Sequence, residues 1–276
     1  MLSDPITIQA QLNDPSSGLA GKVGRDIGQY TVALLSVSGH GENETLHFRG
    51  SGTLVRVTDQ AYILTAYHVW EEIKAAVGIG LTLNEEDVDH RFFMDVKLVA
   101  AFGPQKLPDW DIPRGPDMVL LRIPPQYLSK LQEVKKFYSL TADVPELSKV
   151  NSLDVWILIG SPGEQGTMLP KHASLTINAI YAAIRSESTH EELDYFDLDM
   201  DTTFPGIPKK FNGMSGGGFW IVSLFESSEG GVQWEAQLVG MASWQLFPAP
   251  SGTAKVRCLG AKSIRSLISY LQNPKC

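Results

Sequence analysis

Apolar residues in this chain gather in short runs: Tyr30–Val37, Gly52–Val57, Ala61–Thr65, Val96–Ala101, Met118–Ile123, Val155–Ile159, Tyr195–Met200, Gly218–Leu224 and Trp234–Trp244. Their length, β-branched content and glycine-proline spacers predict the strands of an antiparallel all-β protein. The pattern changes in three places. Residues 124–154 open on Pro124-Pro125 and run through Tyr127–Lys136 into a Ser-, Thr- and Asp-bearing stretch, which predicts a connection between two halves rather than strand. Near the end, Ile264, Leu267, Ile268 and Leu271 fall at i, i+3, i+4 and i+7, one face of a C-terminal helix that Pro274 would stop. A weaker helical pattern covers Val69–Val77, with Val69, Ile73, Ala76 and Val77 on one side and Glu71 and Glu72 in the favourable early turn.

The first two dozen residues are polar and turn-rich, with Asp14-Pro15-Ser16-Ser17-Gly18, and predict a loose arm. The expected organisation is therefore an arm over 1–24, a first β unit over 25–140, and a second over 141–276 that carries the helix. The chain shows no internal repeat and no low-complexity tract.

Composition narrows the function classes. With 276 residues, 43% hydrophobic and 20% charged, the chain has the makeup of a folded protein with a sizeable core. A formal charge of −8 speaks against a nucleic-acid surface, and the basic pairs Lys135-Lys136 and Lys209-Lys210 are too short to make one. No basic segment leads into an apolar core at the N-terminus, so no signal peptide is expected, and no apolar run has membrane-spanning length. Two cysteines near the C-terminus, Cys258 and Cys276, do not make a disulfide scaffold, and a reducing, cytoplasmic setting is the expectation. No H-E-x-x-H or cysteine–histidine spacing implies a metal, and no cofactor motif occurs.

Two segments carry chemistry. Gly213-Met214-Ser215-Gly216-Gly217-Gly218 brackets a serine with glycines, which lets the backbone bend sharply and aim N–H groups into one small space. Ile63-Leu64-Thr65-Ala66-Tyr67-His68-Val69 closes an apolar run on a histidine, at the predicted junction of strand and helical turn. Nucleophile and general base are the matching roles. The serine segment also fits the G-x-S-x-G elbow of α/β hydrolases, but all six histidines precede Ser215, whereas those enzymes place the histidine last. Histidine, aspartate, serine on a β protein is the order that remains. Asp117 is the first choice of acid, because it leads into the nearly continuous apolar run Met118–Ile123 and would be shielded there. Asp109 and Asp111 lie in a loop with Pro and Trp, and Asp95 and Asp154 rank below Asp117.

Gly50-Ser51-Gly52-Thr53-Leu54-Val55, Leu64-Thr65-Ala66-Tyr67-His68-Val69, Asp117-Met118-Val119-Leu120-Leu121, Gly213-Met214-Ser215-Gly216-Gly217 and Leu238-Val239-Gly240-Met241-Ala242-Ser243-Trp244 together resemble the trypsin/chymotrypsin-like serine peptidases, in that family's order, over roughly residues 27–272. The resemblance implies two antiparallel six-stranded β-barrels with a C-terminal helix and an active site between the barrels. His68 and Asp117 would come from the first barrel and Ser215 from the second. It implies an oxyanion hole from the N–H groups of Gly213 and Ser215, and substrate contacts from Ser243, Trp244, Gln245 and, by position, Lys209. Lys209 would favour an acidic side chain if it lined the specificity pocket, and is otherwise a surface residue. Gln245, where the family often has glycine, would narrow that pocket.

Two departures bear on regulation. The aspartate that zymogen-activated members carry before the nucleophile is Met214 here, and Asp26-Ile27-Gly28 is a poor imitation of the usual cleaved N-terminus. The expectation is a protein held inactive by disorder around residues 202–214 until a partner or substrate orders them. The substrate would be a protein or peptide. A protease-like binding module without catalysis, and an ester-cleaving hydrolase, are the rival functions.

Overall fold

Runs of β-branched and aromatic residues broken by glycine and proline fold into strands because each strand pairs with a neighbour while burying side chains beneath it. The computed structural model describes residue 14 and residues 17–83, 92–103, 116–140, 154–169, 172–190, 193–203, 206–226, 231–246 and 252–272. Helix α1 (Leu19–Gly28) precedes β1 (Thr31–Ser38), β2 (Thr45–Val57) and β3 (Gln60–Thr65). Helix α2 (Tyr67–Ile73) is followed by β4 (Gly78–Thr82), β5 (Phe92–Asp95), β6 (Ala100–Phe102) and β7 (Val119–Arg122). Helix α3 (Pro125–Gln132) and β8 (Tyr138–Leu140) lead to β9 (Asp154–Gly160), β10 (Thr167–Leu169), β11 (His172–Ser174), β12 (Asn178–Tyr181) and β13 (Ala183–His190). Strands β14 (Leu193–Asp201), β15 (Gly218–Glu226), β16 (Val232–Leu246) and β17 (Thr253–Gly260) and helix α4 (Ala261–Gln272) complete the order.

The protein is mostly β, built of two curled sheets and closed by a C-terminal helix. The first sheet runs β5-β4-β1-β2-β3-β7-β6, with β8 added alongside β2. The second runs β12-β9-β15-β16-β17-β14-β13, and β10 and β11 form a separate hairpin. All pairings are antiparallel except that of β8 with β2. The outer strands of the second sheet, β12 and β13, are consecutive in the chain, with Ala182 alone between them. Those of the first, β5 and β6, are separated only by a short turn.

A continuous apolar core joins the sheets, from Val32, Leu54 and Ile63 in the first to Ile157, Trp220 and Leu238 in the second. At its centre Trp220 packs against Tyr30 and Tyr138, with ring centroids 5.4 and 5.1 Å away. Helix α4 buries Ile264, Leu267 and Ile268, the face that the sequence periodicity predicts. Its first turn is capped from β14: the Asp194 carboxylate accepts from the N–H groups of Lys262 and Ser263 at 3.0 and 2.7 Å.

The structure departs from expectation in four places. Residues 19–24 are not loose arm but the start of α1, which buries Leu19 and Val23. The run Val96–Ala101 is split, because Asp95 accepts from the Lys97 N–H and caps a tight 3-10 turn over Val96–Leu98 before β6 begins. The connection over 124–154 contains α3, started by Pro125 at a position where its missing N–H costs nothing, and the short strand β8. The helix after the strand begins at Tyr67, so His68 lies within its first turn. Among the described residues, no helix is long and apolar enough to cross a membrane.

Candidate active site

Strand β3 ends at Thr65, and Ala66 in extended conformation turns the chain into α2, so His68 is held by a buried strand on one side and the buried Val69 and Ile73 on the other. Asp117 sits two residues before β7, the neighbour of β3, and its side chain is 2% exposed. Adjacent strands thus deliver the two groups side by side. Asp117 Oδ1 accepts from the His68 backbone N–H at 2.9 Å, and Oδ2 meets His68 Nδ1 at 2.7 Å. A carboxylate there accepts from an Nδ1–H, so the imidazole is held with Nε2 free to take a proton. The third contact, from the Ser243 hydroxyl to Oδ2 at 3.0 Å, belongs to β16 of the second sheet.

Ser215 lies in the tight segment before β15. The Met214 N–H donates to the Phe211 carbonyl at 2.9 Å and the Gly217 N–H to the Met214 carbonyl at 2.8 Å, two turns back to back around the serine. Gly216 adopts φ +89°, and a Cβ there would stand 2.0 Å from the Ser51 carbonyl oxygen, so only glycine fits. The Ser215 hydroxyl donates to the Ser243 carbonyl at 3.1 Å. Ser243 therefore touches Ser215 with its main chain and Asp117 with its side chain, and brings all three predicted residues and itself into one cluster. Among the described residues, no hydrogen bond joins Ser215 to His68 directly.

The N–H groups of Gly213 and Ser215 donate to no backbone carbonyl among the described residues. Their directions are set by the carbonyls across each planar peptide: Asn212 O accepts from the Gly163 N–H at 2.7 Å, and Met214 O from the Gly217 N–H. Each free N–H points away from its engaged carbonyl. A pair of open donors beside a serine hydroxyl is suited to holding a negatively charged oxygen.

Around this cluster, Trp244 is exposed beside His68, with ring centroids 6.1 Å apart and nearly perpendicular. Gln245 reaches from β16 to the segment before the nucleophile, its Oε1 accepting from the Phe211 N–H at 3.0 Å. Lys209 is exposed, and its N–H donates to the Glu164 carboxylate. Of the other aspartates, Asp95 serves the turn cap, Asp154 opens β9, and Asp109 and Asp111 lie outside the described residues. Met214 is buried in the core of the second sheet, and Asp26 pairs with Lys136 at 2.9 Å and accepts from the Trp234 indole N–H. Cys258 is a buried free thiol, and burial pushes its pKa up; Cys276 lies outside the described residues. Among the described residues, no group of three histidine, cysteine or acidic side chains is placed to hold a metal ion.

No family model matches the chain, and no curated protein is similar enough to count as a match. The chemistry is therefore read from the site itself. Sequence reasoning assigns Ser243 a substrate contact but no role to its hydroxyl, which holds Asp117. It assigns Ser51 no role of its own, and Ser51 bridges the two sheets.

Proposed function

We propose that this protein is a serine endopeptidase of the trypsin/chymotrypsin-like kind. The observation that carries this reading is the linking, through Ser243, of a buried Asp117 paired with His68 to Ser215 and two open N–H donors, assembled from elements far apart in the chain. In the proposed reaction His68 Nε2 takes the Ser215 hydroxyl proton as Oγ attacks a peptide carbonyl. The oxyanion is held by Gly213 N–H and Ser215 N–H. His68 then passes the proton to the leaving amine, and water releases the acyl group by the same route. This reaction requires the Ser215 hydroxyl to leave Ser243 O, to which it donates at 3.1 Å, and turn toward His68.

Sheet connectivity supports the two-barrel architecture. With β5 and β6 counted as one bent strand, and β12 and β13 as another, each sheet has six main strands. Both follow the same cyclic order by chain position, first-second-third-sixth-fifth-fourth. Two barrels of one design, with the catalytic residues between them, is the reading this favours.

The resting hydrogen bond from Ser215 to Ser243 favours a second reading, a binding module with an idle serine. Hydrolysis of a peptide library and of simple esters by wild type and Ser215→Ala separates the three functions. The peptidase reading expects wild-type cleavage of peptides that the variant lacks. Ester cleavage alone makes the protein an esterase, and no cleavage of either by wild type makes it a binding module.

A further inference from the structure

Ser51, in β2 of the first sheet, is 0% exposed and places every one of its polar groups on a partner. Its hydroxyl donates to the Gly213 carbonyl at 2.7 Å and accepts from the Ser161 N–H at 2.8 Å, just past β9. Its N–H donates to the Ser215 carbonyl at 2.8 Å. Its carbonyl accepts from the Thr65 hydroxyl at 2.7 Å, which ties it back to the strand that leads into His68. One residue of the first sheet thus grips the carbonyls of Gly213 and Ser215, the same two residues whose N–H groups stand open.

This pairing has a conformational consequence. Gly213 sits at φ +92°, where the peptide on either side can rotate at little steric cost because glycine has no Cβ. Rotation of the peptide before Gly213, which carries its N–H, would turn that donor out of the site and the Asn212 carbonyl in. The peptide after it, whose N–H is that of Met214, flanks the same glycine and steadies it from the other side. The peptide before Gly213 is held by Gly163, and the peptide after it by the Ser51 hydroxyl. Serine does this where alanine cannot, since donating to Gly213 and accepting from Ser161 require one hydroxyl between two buried backbone groups.

From this the geometry points to Ser51 as a positioning residue that holds the donor loop in its anion-binding form in the resting protein, with no chain cleavage and no activating partner. Met214 fits this role: a buried apolar side chain stands beside the nucleophile, and the loop's order comes from a hydroxyl on the opposite sheet. The functional meaning rests on the hydrolase reading above, whereas the conformational claim does not.

The test compares wild type, Ser51→Ala and Ser51→Thr in two measurements on the full chain. The first is NMR of the Gly213 and Ser215 amides without ligand. Single sharp resonances are expected in wild type, exchange-broadened or doubled ones in S51A, and recovery in S51T. The second is kcat and KM for a peptide or ester substrate, with about a tenfold or greater loss of kcat expected in S51A, KM nearly unchanged and partial recovery in S51T. For scale, losing a donor outright costs about a hundredfold or more. Unchanged amides in folded S51A overturn the proposal, whatever the activity. If S51A fails to fold, S51T carries the comparison, and wild-type amides that are already broadened overturn it. Amide changes in a wild type that has no activity leave Ser51 as the clamp and remove the hydrolase reading alone.

Discussion

Asp117 accepts three hydrogen bonds on a carboxylate that is almost wholly buried, two from His68 and one from Ser243. The backbone contact fixes where His68 starts its helix, the ring contact fixes which nitrogen is free, and the Ser243 contact anchors both to the second sheet. Asp117→Asn is nearly the same shape but presents an N–H₂ to the ring or to Ser243, which favours the wrong tautomer. We predict a fall in kcat of about a thousandfold to ten-thousandfold with the fold retained, as removal of this charge does in serine triads generally. Steady-state kinetics alongside circular dichroism checks it, and a loss under tenfold in a folded variant contradicts the role. Gln245 supports a second prediction. Its bridge to Phe211 crosses the space between the segment before Ser215 and the strand carrying Ser243, and the buried Val256 pairs with it in β17. Wild type should cleave after small side chains, and Gln245→Gly should shift the preference toward larger ones in a cleavage profile. An unchanged profile counts against that wall. The clustering of His68, Asp117 and Ser215 was legible in the sequence as a candidate site because each is a distinctive side chain in a distinctive local segment. Ser51 and Ser243 were not, since their roles come from contacts across the sheets and a serine in a strand carries no local mark of them.

Among the elements, α4 was readable from its apolar spacing because a helix that packs on a sheet must bury one stripe. Its cap was not, because the capping carboxylate is Asp194, far upstream on β14. Ser263, fully buried, shares that carboxylate through its hydroxyl at 2.7 Å. Asp194→Ala removes the acceptor of two first-turn N–H groups of α4 and one acceptor of the Ser263 hydroxyl, and about 2 kcal/mol of stability should be lost. Urea unfolding would measure this, and a shift below about 0.5 kcal/mol would contradict the cap. Several strands escaped the hydrophobic pattern for identifiable reasons. Strand β4 reads Gly-Ile-Gly-Leu-Thr, its glycines masking its alternation; one of them, Gly78, leaves no room for a side chain against Phe93. Strand β13 is an edge with almost every residue exposed, so it carries polar side chains and no apolar face. Strand β17 alternates buried Ala254, Val256 and Cys258 with Lys255 and Arg257, and Arg257 pairs with Asp197 of β14 at 2.8 Å.

Across the whole molecule, one core cluster spans the two sheets, with Trp220 between Tyr30 and Tyr138, beside a second cluster within the second sheet, and Ser51 ties the glycine loop to the first sheet. The mostly-β class was legible from strand-like runs, whereas the strand order within each sheet was not, because pairing between distant runs leaves no mark in the sequence. A shared core predicts that the sheets unfold together. In a Cys276→Ser variant, the remaining thiol, Cys258, is buried and its pKa raised by burial, so it stays unreactive in the folded protein. Its reaction with a thiol reagent during urea unfolding should share one midpoint with far-ultraviolet circular dichroism and tryptophan fluorescence, and separated midpoints would show that the sheets unfold apart. The central claim, that Ser215 is a nucleophile primed by His68, is tested most directly by intact-mass and peptide mapping after exposure to a fluorophosphonate. The account predicts one adduct, on Ser215, absent from Ser215→Ala and strongly slowed in His68→Ala. A folded wild type that takes up no adduct, or labels equally fast without His68, would contradict it.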